Sequence, residues 1–220
     1  MVLLRSRTDR RRGGPQLTQS AGVLRFDGEI CGFGTASGVR IVVGWWPVSP
    51  FGSFADAMVE HPDGRRLLIA PSQAIAELVG GVYGFDDIVV GDVVAWRTSG
   101  CLHIAGGPLR ADVSIGGRDP LGWVLRLVPR RVATSVTWAR LVDPVARLTL
   151  RGVRTAGRTA GGRETYGATD RHRVVGVEAT WEGRVLGPLA DVDPPVRFGF
   201  SSTPKRPSIV AVRTTIRPLG

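Results

Sequence analysis

From Gly22 onward the apolar residues fall in short runs rather than long helical stripes. GVLRF (22–26), GVRIVVGWW (38–46) and FADAMVEHPDGRRLLIA (54–70) are rich in Val, Ile, Phe and Trp and read as strands. In the last of these, Pro62-Asp63-Gly64 supplies turn chemistry between two strand-like flanks and so predicts a hairpin. Met58 and Glu60 alternate there with Ala57 and Val59, so one face would line a cavity. Residues 73–81 then show helical spacing (Ile75, Leu78, Val79), with Ser72 as a cap and Gly80-Gly81 as a stop.

Residues 84–97 and 100–116 return to strand-like runs. Asp119-Pro120 opens a helical segment at about 119–148, which Pro129 and Pro144 divide into short helices near 120–128 and 134–142. Residues 151–170, rich in Gly, Thr and Arg, read as the longest internal loop. Three more strands are expected at 172–183, 195–200 and 207–216. Val174, Gly176, Glu178 and Thr180 alternate with Val175, Val177, Ala179 and Trp181, one wet face against one dry. The pattern predicts an α+β, β-dominated fold: an antiparallel β-barrel or strongly curved sheet with a few short helices packed on it.

Thirty glycines and 15 prolines in 220 residues reinforce the reading of short strands joined by tight turns. Residues 1–20 have almost nothing to bury and read as a disordered basic arm, with 21–220 as a single β-rich domain. The net charge of +10 is unevenly spread, at +4 in residues 1–14, −4 in 15–100, +4 in 101–150 and +6 in 151–220. All basic residues but Lys205 are Arg and Asn is absent, which matches drift in a GC-rich genome, so nucleic acid is not the expected partner. Cys31 and Cys101 form no metal or disulfide framework, and no apolar run is long enough for a signal peptide or a membrane span. The expected location is therefore cytoplasmic, with no metal and no cofactor; the chain does not indicate an oligomeric state.

Phosphate-loop, zincin, nucleophile-elbow and dinucleotide motifs are missing. Glu60 and Glu178 stand mid-strand among apolar residues, where a carboxylate needs an Arg partner or a chemical role, the partner ranking first. Tyr166 and His172 complete the catalytic candidates. Trp45, Met58 and Trp181 are candidates to line an apolar pocket, although the tryptophans would equally fill core. Arg163, in a series with Arg151, Arg154 and Arg158, would hold an anionic group. A site of His61, His172 and Glu60 is the one metal constellation that neighbouring strands would assemble, and satisfied histidines are the plainer reading.

SPFGSFADAMVE (49–60), PDGRRLLIAP (62–71), DPLGWVLRLVPR (119–130), TDRHRV (169–174) and PPVRFGFSSTP (194–204) resemble a group of actinobacterial proteins of similar length, a likeness that implies no function. More distantly, SPFGSFADAMVE followed by YGFDD (83–87) resembles the acetoacetate decarboxylase superfamily. That resemblance implies a β-barrel-like domain with a cavity. The superfamily's Schiff-base lysine lies in a G-[FY]-P-K segment; here the matching residues are Gly84-Phe85-Asp86-Asp87, without a lysine, so no catalytic residue carries over. The first functional reading is a domain binding a small apolar or amphipathic ligand, anionic ones included. The alternatives are an enzyme of acetoacetate-decarboxylase-like fold using acid/base carboxylates, and a nucleic-acid or acidic-surface binder through Arg-rich regions.

Overall fold

A computed structural model describes residues 22–150, 152–159 and 162–217. The expected basic arm lies outside the described residues. In chain order the elements are β1 (Leu24–Thr35), β2 (Arg40–Val48), β3 (Phe54–Glu60), β4 (Arg66–Ala70), α1 (Gln73–Val82), β5 (Asp87–Val90), β6 (Val93–Thr98), β7 (Cys101–Gly106), β8 (Leu109–Arg118), α2 (Pro120–Leu127), α3 (Arg130–Ala133), α4 (Val136–Thr149), β9 (Ala156–Thr159), β10 (Gly162–Trp181), β11 (Arg184–Val185), β12 (Leu189–Ala190) and β13 (Ser208–Arg217). The strands join one sheet in the order β5-β4-β3-β2-β1-β13-β10-β8-β7-β6, with β9, β11 and β12 paired on its flanks. All pairings are antiparallel except β4–β5, which the crossover helix α1 makes parallel. The sheet is strongly curled into an open half-barrel, with the short helices packed against it.

Period-two alternation gives the sheet two dry faces. Residues of one parity, such as Cys31, Phe33, Ile41, Val43, Ala57 and Val59, meet Leu102, Ile104, Ala111 and Val113 from the far end of the sheet in the main core. Residues of the other parity on β1, β2, β3, β10 and β13 face the layer formed by α1, α2 and α4. β10 is the spine, pairing with β13 and β9 along its first half and with β8 and β11 along its second. Register shifts at Ala168/Asp170, His172/Val174 and Val174/Gly176 bend it and change which parity faces which side. As a result Val174 lies in the main core together with Ala179, whereas the simple alternation had placed those two on opposite faces.

The hairpin at Pro62-Asp63-Gly64 joins β3 to β4: His61 N–H donates to the Arg65 carbonyl (2.9 Å), and Gly64 has φ 90°. Ser72 caps α1 by accepting from the Ile75 N–H. α1 runs through Gly80 and Gly81, which were expected to stop it, and ends at Val82. Pro129 ends the first helical stretch, but Pro144 lies inside α4 rather than at its boundary. Beside it, Asp143 accepts the N–H groups of Thr155 (2.7 Å) and Ala156 (3.1 Å) and so fastens α4 to the start of β9. That fastening also belongs to the stretch read as a long loop: its described residues form the β9–β10 hairpin instead. Residues 195–200 form no strand and cross the helical side as a loop. Among the described residues no helix is long and apolar enough to cross a membrane.

Candidate functional site

A cavity of about 390 Å³ lies between the sheet and the helices, within the span typical of ligand pockets. Its floor is the second dry face: Phe26 and Ile30 on β1, Val42 and Trp46 on β2, Val210, Val212 and Ile216 on β13. α1, α2 and α4 contribute Val79, Val82, Leu125, Trp138 and Val142 to the walls, and Val128 follows α2. The 153–155 and 196–204 segments add to the lining, as do residues of β3 and β10.

Two carboxyl groups enter this apolar chamber. Asp56, on β3, accepts a 2.9 Å hydrogen bond from Trp46 Nε1. Gly44 faces Asp56 across the β2–β3 pairing, and a Cβ there would lie 2.4 Å from Trp46 Nε1 and 2.6 Å from Asp56 Oδ1. Only glycine leaves room for the indole to reach the carboxylate. Burial raises the Asp56 carboxyl to about 7, the indole N–H opposing the shift. Glu164, on β10, is likewise raised by burial to about 7, with the tyrosine hydroxyls opposing.

Glu164 belongs to a hydrogen-bonded series. Tyr83, at the C-terminal end of α1, donates to Glu164 Oε1 at 2.8 Å, and its hydroxyl lies 2.5 Å from that of Tyr166. A phenol has one proton, so when Tyr83 donates to Glu164, Tyr166 must donate to Tyr83. With Glu164 protonated the series can run in reverse. Burial, first of all, holds both tyrosines well above their ordinary pKa, so they remain protonated.

A second polar group lies toward the other end of β13. Arg171, opposite Val210, pairs with Asp119 at 2.9 Å, and Asp119 also caps α2 through the Gly122 N–H at 2.8 Å. Thr203, packed against Gly32, which pairs with Ser208, lies on the same part of the cavity wall, whereas Arg154 stands nearer Tyr166, next to Thr155, whose carbonyl accepts the Tyr166 N–H at 2.8 Å. Six residues separate Ser208 from Thr214, which is opposite Tyr166; at ~3.3 Å per residue the two polar regions are roughly 20 Å apart along the strand. Between them the cavity floor is Val210 and Val212.

Nine buried side-chain polar atoms have no hydrogen-bond partner among the described residues, and seven of them belong to residues lining this cavity: Arg154, Glu164, Arg171, Ser202, Thr203, Ser208 and Thr214. Buried polar groups are ordinarily paired, so this concentration sets the cavity wall apart from the rest of the described core.

Of the residues singled out in the sequence, Tyr166 and Met58 line the cavity, as does Arg154 from the arginine series. Glu60 is fully buried at the end of β3, 3.3 Å from Arg40 and 3.1 Å from Arg197, and also accepts the Arg197 N–H. Glu178 is exposed beside Asp112 on the outer side of the β8–β10 pairing. His172 faces the Gly116 carbonyl (3.2 Å) and Asp170 (3.7 Å). Trp45 packs against the main core, whereas its neighbour Trp46 lines the cavity. Trp181 also packs on the core and meets the His61 ring edge-on at 4.9 Å. Arg163 is exposed opposite Arg217.

Among the described residues one group has metal-ligand types close together: Cys101, His103 and Asp112. Both His103 ring nitrogens there are already engaged, one by Asp112 of the same group at 2.6 Å and the other by the Thr98 hydroxyl at 2.7 Å. Lys205, the one lysine, is exposed and pairs with Asp193 at 2.6 Å, so no lysine amine lines the cavity.

No protein-family model matches the chain, and no curated protein matches it. Among solved structures it is similar to the crystal structure of acetoacetate decarboxylase from Legionella pneumophila subsp. pneumophila str. Philadelphia 1. That match covers 90% of this chain and 86% of the other, at 13% sequence identity and a TM-score of 0.45. No residue role is transferred from it.

Proposed function

We propose that this protein binds an amphipathic small molecule in the cavity between sheet and helices. The observation that carries this reading is an apolar chamber of about 390 Å³ whose lining residues hold seven buried polar side-chain atoms without a hydrogen-bond partner. An unsatisfied buried polar group costs roughly 1–3 kcal/mol, so a ligand gains affinity by covering apolar wall and by partnering those side chains that turn toward it. The Glu164–Tyr83–Tyr166 region suits a neutral donor or acceptor, because a carboxyl near 7 resists ionisation. The region of Thr203 and Ser208 offers hydroxyl donors, beside the Arg171 Nε that the Asp119 ion pair does not use, and suits an anionic or strongly accepting head group. Native mass spectrometry of the purified chain, followed by displacement of a fluorescent fatty acid, tests the reading. A bound organic species, or one saturable site per chain, supports it; the absence of both overturns it.

One observation favours an enzymatic second reading. Glu164 titrates near neutrality at the end of a tyrosine relay, as suits a general acid and base. Its test is exchange of deuterium from solvent into α-carbon positions of small carbonyl compounds, followed by NMR: exchange abolished in Glu164→Gln supports catalysis, and no exchange with any compound opposes it. The nucleic-acid reading draws less support, since Arg118, Arg171, Arg197 and Arg213 in the basic second half already pair with Asp170, Asp119, Glu60 and Asp27.

A further inference from the structure

Apolar side chains on α2 and α4 continue outward from the cavity mouth. Val124 on α2 and Val145 on α4 line the cavity, yet are 57% and 59% exposed, so the chamber opens to solvent between these helices. Beyond this rim lie Leu127, 83% exposed, and Leu148, 88% exposed, the two most exposed large apolar residues among those described. Leu141, Val145 and Leu148 follow one another at spacings of four and three, which puts them on one stripe of α4. Trp123 extends the surface on α2. Single exposed apolar residues are ordinary on a protein surface, but a stripe continuous with a cavity mouth is not.

The charge of the same segment has one outward sign. Residues 119–149 carry five arginines and two aspartates, and both aspartates are buried. Asp119 is engaged by Arg171 and the start of α2; Asp143 is engaged by Thr155, Ala156 and Arg147. Arg126 and Arg130 reach only the edges of Asp170 and Asp27, at 3.9 and 3.5 Å, and remain largely exposed. Arg131 and Arg140 are exposed as well. The surface therefore presents leucine, valine and tryptophan fringed by arginine.

We propose that the exposed faces of α2 and α4 dock on an anionic lipid bilayer, with the cavity mouth turned toward the membrane. A second copy of the chain would bring the same arginines face to face across a twofold axis, a like-charge interface. An anionic bilayer instead supplies an apolar phase for Leu127, Leu141 and Leu148 and negative head groups for the arginine fringe. With 8 and 14 residues, α2 and α4 are too short to span a bilayer and suit lying in its interface. The proposal stands whether or not the cavity is filled.

Flotation of the full-length protein with vesicles tests it. The expected result is binding to vesicles of phosphatidylcholine and phosphatidylglycerol, weak binding to phosphatidylcholine alone, and loss of binding as salt rises. Because a chain of this charge is attracted to any anionic surface, the decisive variant keeps the charge: Leu127→Ser with Leu148→Ser is expected to weaken partitioning by about 100-fold, roughly tenfold per leucine. Val185→Ser, equally exposed away from these helices, serves as the control and is expected to bind as the parent does. Arg131→Gln with Arg140→Gln is expected to weaken binding and flatten its salt dependence. Anionic-vesicle binding unchanged by the leucine pair, or a concentration-dependent dimer that the pair dissolves without any vesicle binding, would overturn the proposal.

Discussion

Asp56 and Glu60 stand on the same side of β3, four residues apart, and their surroundings give them opposite tasks. Glu60 has two guanidinium partners, so removing its carboxylate leaves the buried Arg40 without a counter-charge, held only by the Pro194 and His61 carbonyls. Glu60→Ala is expected to cost about 3–5 kcal/mol in urea unfolding while the folded protein retains its ligand affinity. Asp56 has an indole N–H and no cation, and its carboxyl is raised from the usual 3.8 to about 7. The folded chain thus keeps a proton there that the unfolded chain releases from about pH 4. The stability tied to this proton is fully present below about pH 4 and is lost as pH rises through about 7. Asp56→Asn still offers the indole an acceptor, so its unfolding free energy is expected to depend less on pH between about 4 and 8 and to exceed the parent's at pH 8. A variant that tracks the parent at both pH 5 and pH 8 would show that Asp56 is ionised without penalty. Asp56 occupies the mid-strand setting that the sequence had assigned to Glu60, which instead ends β3. Asp56 escaped notice because its significance depends on Trp46 crossing Gly44 from the neighbouring strand, a tertiary contact that spacing along one strand does not encode.

At the scale of elements, the sequence showed most clearly where local chemistry decides. The β3–β4 hairpin, the Ser72 cap and the Asp119-Pro120 helix start each follow from residues within one turn of the feature. It was less informative where distant segments decide. The Gly, Thr and Arg of 151–170 lack the bulk of a core strand, but they pair along β13 and carry Glu164 and Tyr166 into the cavity. The bulges of β10 bring Arg171 to the face that Tyr166 and Ala168 share, against simple alternation. Pro144 is carried within α4, whose anchoring at Asp143 is a contact with β9. The docking of α2 on β10 depends on Gly122, where a Cβ would lie 2.2 Å from the Arg171 carbonyl oxygen. Gly122→Val is expected to destabilise the fold by about 1–3 kcal/mol and to loosen the cavity wall. Urea unfolding reads the first effect, and faster proteolysis between α2 and α4 reads the second. Unchanged stability would mean that the helix shifts without cost.

At the scale of the whole molecule, the curled sheet assigns its two dry faces to different work. One closes on itself as the main core, and the other, with the helices, encloses a chamber that packing leaves open. A sheet of this kind was legible from the short apolar runs, and alternation along β3 put Met58 on the cavity side; most other apolar residues facing the chamber were not, because Trp45 and Trp46 differ only in parity. The polar residues along the chamber give it two chemically distinct regions, and this is the reason to expect an amphipathic occupant. Narrowing the chamber should therefore abolish binding without unfolding the protein. The most direct measurement is titration with a fluorescent fatty acid of the parent and of Ala168→Trp, whose side chain would project into the cavity. The account predicts one saturable site in the parent and at least about tenfold weaker binding in a variant that still unfolds cooperatively. Absence of saturable binding in the parent, or equal affinity in the two folded proteins, would contradict it.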